Sequence, residues 1–146
     1  MKRNISVFLI AVLLIFGLAG CKNEQKSSSD SLKLKSGETF VVKVSMEDSG
    51  LIKSMALTIY SDDNTFEIVG GNWLNHNAVI ADFNMENKDA AIAFKEETNY
   101  CGEIFEFEVK TKKDITVIDD MFDVDTVLKK EQETVTCKGV TLSYSK

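Results

Sequence analysis

Few side chains of this chain could carry out nucleophilic or acid–base chemistry, and their number limits what they can do. The sequence contains three cysteines and a single histidine, His76. A histidine relay and a metal site built on several histidines are therefore excluded. Cys101 beside His76 would form a thiol nucleophile pair, but the asparagines on both sides of His76 favour a solvated loop residue. The carboxylates show no arrangement typical of a glycosidase, so we expect no enzyme, no cofactor and no metal site.

Cys21 is the cysteine with the most informative surroundings. It follows a basic head and an apolar run over residues 7–16, which is the layout of a secretory signal. Leu18-Ala19-Gly20 directly before it is similar to a bacterial lipobox, and this resemblance implies that Cys21 is acylated and becomes the mature N-terminus. An uncleaved membrane anchor is the alternative, although the run is shorter than the about 20 apolar residues of a spanning helix.

Export and acylation would set both the compartment and the composition of the mature chain. Cleavage after residue 20 of 146 leaves 126 residues, and the loss of Lys2 and Arg3 changes the net charge from −6 to −8. Such an acidic chain lacks the basic footprint of nucleic-acid binders, so we expect no nucleic-acid partner. The predicted location is outside the cytoplasm, on the bacterial cell membrane, held by the lipid on Cys21.

The chain divides into three predicted segments: a signal at 1–20, a flexible tether at 21–36 and one folded domain at 37–146. After Cys21 the sequence has no apolar residue up to Ser31, so this stretch cannot bury surface. Its root-mean-square reach is about 15–20 Å, enough to hold a domain just clear of the lipid headgroups.

From Thr39 onward, apolar and polar residues alternate. The pattern is clearest at 40–46, 55–60 and 104–110, and a period of two indicates antiparallel strands with one buried face. Further predicted strands are 65–69, 78–83, 90–95, 114–118, 133–138 and 140–145, whereas 121–132 is predicted to be a short helix or an irregular connection. Turn residues separate the strands, so we predict an all-β fold, an antiparallel β-sandwich with jelly-roll topology.

The order of these segments also carries a family resemblance. It rests on the valine-rich segment 40–46, the segment 50–60 ending in Tyr60, the segments 66–69, 90–94 and 102–110, and the closing segment 139–142. In this order they resemble the cohesin domain, the receptor module of cellulosomes, and more loosely the carbohydrate-binding modules. Cohesins commonly place aspartate and proline after the tyrosine, whereas Ser61 and Asp62 follow here and the chain has no proline.

The resemblance implies a cohesin-like sandwich that recognises a dockerin-like protein partner. Dockerins dock on a flat sheet face of cohesins, and small outward residues in the middle strands would make such a face flat here. The alternative is that both faces are covered and these small residues simply pack. The implied partner-binding residues are Glu67, Asp82, Ala91, Ala93, Lys95, Glu106 and Glu108.

A membrane-anchored polysaccharide-binding module is the alternative function. Such modules stack sugar rings on exposed aromatic side chains, and the candidates here are Tyr60, Trp73 and Tyr100. Tyr60 lies at a polar position of its strand, which favours exposure. For Trp73 the favoured interpretation is a core residue beneath a loop.

Two further features remain open from the sequence. Once Cys21 is lipidated, Cys101 and Cys137 could form a disulfide, which stabilises by about 3–4 kcal/mol in the chain-entropy model; two buried thiols are the alternative. An acidic group could hold calcium through its carboxylates, but a solvated acidic edge is the favoured interpretation because the group lacks the glycine and glutamate of an EF-hand loop. Its members are Asp119, Asp120, Asp123 and Asp125.

Overall fold

The computed structural model describes residues 32–137 and 139–146, except for the side chain of Cys137. The predicted signal, its cleavage site and Cys21 lie outside these residues. In the described ranges, no helix is long and apolar enough to span a membrane. Their strands are β1 (Leu32–Leu34), β2 (Thr39–Met46), β3 (Leu51–Ser61), β4 (Phe66–Trp73), β5 (Ile80–Asn84), β6 (Asp89–Asn99), β7 (Gly102–Thr111), β8 (Ile115–Val117), β9 (Phe122–Lys129), β10 (Thr134–Cys137) and β11 (Val140–Ser145).

Two antiparallel sheets pack against each other. The large sheet has the strand order β10-β9-β3-β6-β5, and the small sheet has the order β11-β2-β7-β4. The short strands β1 and β8 pair separately with each other. The predicted all-β antiparallel sandwich is therefore confirmed, while its jelly-roll topology stays a prediction.

Side-chain alternation along each strand builds the core between the sheets. Successive residues of a strand point to opposite faces, so one apolar set per strand is buried and the other set faces outward. The pattern is regular in β2, where Val42 and Val44 are fully buried. The largest fully buried side chains include Phe40, Met46, Ile52, Met55, Leu57, Ile59, Ile92, Ile104, Phe105 and Phe107.

The segment predicted as a helix or irregular connection is a strand instead. β9 alternates between buried and exposed residues along its whole length, and it pairs with β3 from Ser61↔Phe122 to Ser54↔Lys129. Thr126 occupies a fully buried inward position in β9. This polar inward residue hides the period of two, which explains why the sequence pattern is ambiguous there.

The folded part also begins earlier than predicted. Leu32–Leu34 lies inside the predicted tether, yet it forms β1 and pairs with β8. Leu34 is only 2% exposed, and Lys35 forms an ion pair with Asp114 at 2.7 Å. The prediction that the tether continues to residue 36 is wrong, because one buried leucine is enough to attach this segment to the core.

Gly71 has no side chain, so Phe83 at the edge of the large sheet can pack against Phe105 of the small sheet. A Cβ atom at this position would lie 2.7 Å from Cδ1 of Phe83 and 2.8 Å from Cζ of Phe105. These two rings pack edge to face with their centroids 5.4 Å apart. Any side chain at position 71 must therefore displace an aromatic ring that joins the two sheets.

We expect Gly71→Ala to lower the free energy of unfolding by about 1–3 kcal/mol, because overpacking shifts Phe83 or Phe105. Urea unfolding followed by circular dichroism measures this change. Gly70→Ala is the matched control: a Cβ at Gly70 meets nothing within 4 Å, so its effect should stay below about 1 kcal/mol. Equal destabilisation by both substitutions would contradict this account of Gly71.

Candidate functional site

The outer faces of the two sheets are the candidate binding surfaces, and the predicted partner-binding residues are divided between them. Asp82, Ala91, Ala93 and Lys95 belong to β5 and β6 of the large sheet, whereas Glu67, Glu106 and Glu108 belong to β4 and β7 of the small sheet. The prediction that all seven share one face is therefore wrong. The alternation of apolar and polar residues shows which residues point outward from a sheet. It does not show that the chain passes from the small sheet to the large sheet between β4 and β5 and back between β6 and β7.

Small and apolar side chains cross the outer face of the large sheet. Ala56 of β3 pairs with Ala91 of β6 on one side and with Val127 of β9 on the other. Ala93 of β6 pairs with Ile80 of the edge strand β5, and Ile80 is 59% exposed. Neighbouring strands lie about 4.8 Å apart, so these five side chains form one continuous surface, the outer strip (Ala56, Ile80, Ala91, Ala93 and Val127).

A shallow depression of about 390 Å³ lies beside the outer strip. Its lining includes Ala56, Thr58, Asp82, Asn84 and Asp89. The hydroxyl of Thr58 donates a hydrogen bond to the Asp89 carboxylate at 2.9 Å. Because the lining side chains are short and open to solvent, the depression suits contact with another protein surface better than enclosure of a small ligand.

Carboxylates gather at one end of the same face. Asp89 and Asp125 lie on either side of Thr58, and Asp123 pairs with Tyr60. A hydrogen bond to Asp125 and the negative charges of Asp125, Asp89 and Asp123 raise the pKa of the Tyr60 phenol. None of the three carboxylates is in an ion pair within the described ranges. This group, the acidic end (Asp89, Asp123 and Asp125), therefore presents uncompensated negative charge.

The predicted residues cover only part of this face. They include Ala91, Ala93 and Lys95 of β6, but none of the predicted partner-binding residues comes from β3 or β9. Asp125 and Val127 are missing because the segment that holds them is predicted as a helix or connection. The alternation of exposed and buried residues in β9 is the signal that could have found them.

Two of the three aromatic candidates of the carbohydrate-binding alternative are buried. Trp73 and Tyr100 are each only 4% exposed, whereas Tyr60 is 49% exposed. The indole of Trp73 packs on Phe105 with ring centroids 5.0 Å apart, and its Nε1 donates to the Asp82 carbonyl at 3.1 Å. The favoured interpretation of Trp73 as a core residue is confirmed, and Trp73 and Tyr100 are wrong as candidates for stacking a sugar because their rings lie in the interior.

The other residues with chemical potential lie apart from this face. His76 is exposed between β4 and β5, and its Nδ1 accepts a hydrogen bond from the Ala78 amide at 3.2 Å. Cys101 is disulfide-bonded, so its sulfur is not a thiolate nucleophile. Within residues 32–137 and 139–146, no group of three or more histidine, cysteine, aspartate or glutamate side chains could hold a metal ion.

The predicted bridge between Cys101 and Cys137 is compatible with the strand arrangement but stays a prediction, because the side chain of Cys137 lies outside the described part. Gly102 and Val140 both pair with Met46, from opposite sides of β2. The residues just before β7 and just before β11 therefore lie at the same end of the sandwich. Cys101 directly precedes β7 at this end, and Cys137 is the last residue of β10, three positions before β11 begins.

The acidic group considered for calcium is divided between a turn and a sheet face. Asp120 lies in the turn before β9 with a φ of 71°, and its charge and that of Asp119 act on Tyr144. Asp123 and Asp125 instead face outward from β9. The division favours the interpretation as a solvated acidic edge.

Comparison with known proteins adds no assignment: the chain matches no protein-family model, no curated protein and no solved structure. The resemblance to cohesins therefore stays a prediction, and the function must be argued from the geometry of the face.

The side chain of Tyr100 reaches two backbone carbonyl oxygens. Its buried hydroxyl lies within hydrogen-bond distance of the Ile104 carbonyl, at 2.8 Å, and of the Leu74 carbonyl. Burial raises the pKa of Tyr100 to about 12 from an ordinary value of 10.0, and burial likewise raises the pKa of Tyr144 to about 12. The unfolded chain therefore loses these protons at a lower pH than the folded chain.

We expect Tyr100→Phe to lower the free energy of unfolding by about 1–2 kcal/mol near pH 7, because the Leu74 carbonyl loses the Tyr100 hydroxyl, whereas the Ile104 carbonyl still accepts the Leu74 amide at 2.9 Å. In the unaltered chain, the part of the stability that depends on these two tyrosines should be constant below about pH 10 and should fall as the pH rises toward 12, since the unfolded state binds fewer protons in that interval. The stability of the variant should fall less steeply over the same pH interval. Urea unfolding at several pH values measures both effects, and identical slopes in the two proteins would contradict the assignment.

Proposed function

We propose that this chain is an exported, lipid-anchored and non-enzymatic protein that recognises another protein through the outer face of the large sheet. The observation that carries the proposal is the outer strip: five small or apolar side chains on adjacent strands, bordered by carboxylates. Apolar surface at the centre of a patch and charge at its border are typical of protein–protein interfaces. A cohesin-like architecture on a jelly-roll plan would fit this role.

The shape of the face supports a protein partner over a small ligand. Ala56 and Ala91 end at Cβ, so a partner can approach close to the sheet backbone over the width of several strands. Ligand pockets enclose most of their ligand, whereas this depression is open along the sheet. A polysaccharide partner has less support, because Trp73 and Tyr100 are buried and Tyr60 is the one exposed ring among the three candidates.

The anchor in this proposal is Cys21, and the residues between it and β1 supply the tether. A tether of about ten residues reaches about 15–20 Å, so the sandwich would stay close to the membrane surface. The lipid accounts for membrane attachment, since a mature net charge of −8 after loss of the signal opposes electrostatic adhesion to anionic lipid.

Lipid attachment is tested by Cys21→Ala in the full-length chain. We expect the unaltered protein to sediment with membranes and to carry an acylated Cys21 as its first residue, as determined by mass spectrometry. The variant should keep its N-terminal 20 residues and lack the lipid mass, because no thiol is present to accept the acyl group. A cytosolic, uncleaved and unacylated native protein would refute this part of the proposal.

The binding face is tested by Ala91→Arg, which places a long charged side chain at the centre of the outer strip. We expect the variant to lose at least about tenfold in affinity for a saturable protein partner, because a clash and an unpaired charge in an interface cost several kcal/mol. Affinity capture with a tagged full-length chain, followed by titration of the retained protein, measures this loss.

Glu106→Lys is the matched control, because Glu106 lies on the outer face of the small sheet. It reverses a charge without touching the outer strip, so the affinity should be unchanged. If Glu106→Lys abolished capture and Ala91→Arg left it intact, the binding surface would lie on the small sheet and the proposal would be wrong.

A further inference from the structure

Two strands of the large sheet carry the same charge order along their outward positions. In β6 the outward residues run from Asp89 through Ala91 and Ala93 to Lys95. In β9 the corresponding order is Asp125, Val127 and Lys129. Because β6 and β9 both run antiparallel to the intervening β3, their aspartates lie at one end of the face and their lysines at the other. The outer strip separates the two ends.

The four terminal charges are available to another molecule. Asp89, Lys95, Asp125 and Lys129 are all exposed, and none of them takes part in an ion pair of the described chain. The lysine end (Lys95 and Lys129) and the acidic end are therefore complementary to each other but too far apart to pair within one molecule. Four residues of strand separate Asp125 from Lys129, which corresponds to about 13 Å.

A second copy of the chain can place opposite charges against both the acidic end and the lysine end at once. Consider two copies with their large sheets facing each other, related by a two-fold axis that lies parallel to the sheets and across the strands. This rotation reverses the direction along each strand, so the acidic end of one copy meets the lysine end of the other in two equivalent places. A two-fold axis along the strands would instead bring aspartates against aspartates, which is repulsive.

Most of the centre of the face permits this contact, and the exception is the exposed Asp82 of β5, which pairs with Ala91 and lies near its own copy across the axis. Ala56 and Ala91 project little, and Val127 and Ile80 supply exposed apolar surface on either side. The five strands are four to eleven residues long and lie about 4.8 Å apart, which gives a footprint of about 600 Å² per copy, at the small end for specific interfaces. Both copies are negatively charged overall, but that repulsion is screened beyond about 8 Å at physiological salt, whereas charges in contact are screened less.

We propose that the outer face of the large sheet is self-complementary and that its partner is a second copy of this chain, in a face-to-face dimer with crossed charge ends. This inference rests on the proposed function, because it uses the same face and names the protein that occupies it. The small footprint gives a weak and reversible dimer in solution. Attachment of both copies to one membrane raises their effective concentration and favours the paired form.

The experiment uses two reversed variants of the full-length chain, purified in detergent and each carrying a different affinity tag. Lys95→Glu with Lys129→Glu makes both ends of the face acidic, and Asp89→Lys with Asp125→Lys makes both ends basic. We expect each variant alone to self-associate at least about tenfold more weakly than the unaltered chain, because like charges then meet at both contacts. Sedimentation equilibrium gives the dissociation constants.

Mixing the two variants should restore association, since each acidic face then meets a basic face at both ends. Copurification of the two tags measures this recovery, and a misfolded variant would not recover on mixing. Glu108→Lys, on the outer face of the small sheet, is the matched control and should dimerise like the unaltered chain. Copurification that all variants share equally would indicate mixed micelles and would overturn the proposal.

The outcomes separate this inference from the proposed function. A chain that stays monomeric at about 100 μM, a range in which weak interfaces associate, yet captures a different protein in a manner sensitive to Ala91→Arg, would refute the dimer and leave the binding face intact. A chain that neither dimerises nor captures any protein would refute both.

Discussion

Burial of aromatic rings between the two sheets is the interaction on which the rest of this structure depends. Phe122 of β9 lies at its centre, with ring centroids 4.8 Å from Phe66 and 5.5 Å from Phe107 in the small sheet. It also contacts Phe40 and Tyr144 at 6.1 and 6.3 Å. Each such ring pair adds about 0.5–1.5 kcal/mol to the burial of its area. Because Phe122 starts β9, this cluster also fixes the position of the strand that supplies Asp125 and Val127 to the outer face.

The inner and outer faces are coupled through side-chain alternation. Once Phe122, Val124 and Leu128 are buried in the core, the alternate residues Asp123, Asp125 and Val127 must point outward. The same holds in β6, where burial of Ile92 forces Ala91 and Ala93 to the outside. The core therefore fixes the backbone positions from which the outer strip and the two charged ends project. A binding surface of this kind is rigid because the opposite side of each strand is packed.

The sequence is sufficient to predict the fold class and the positions of most strands along the chain, but only part of the candidate site. Alternation is regular in β2 and, from Phe105 onward, in β7, so these strands and their buried faces follow directly. Alternation contains no information about which sheet a strand joins, so Asp82 and Glu106 were placed on one face although they lie on opposite faces. Thr126, at a buried position, conceals β9 and with it Val127 of the outer strip and Asp125 of the acidic end. Leu34 is a single buried residue in a polar stretch, which is too short a pattern to reveal β1.

The edge strand β5 has one further consequence for how this protein can assemble. β5 has a single neighbour in the large sheet, and strands at sheet edges expose backbone groups that can recruit strands of other molecules. Here the indole Nε1 of Trp73 donates a hydrogen bond to the Asp82 carbonyl, so this acceptor is not available to an added strand. The same bond links β5 to β4 of the small sheet. Lateral growth by strand addition is thereby disfavoured at β5, which protects the protein from polymerising into fibres.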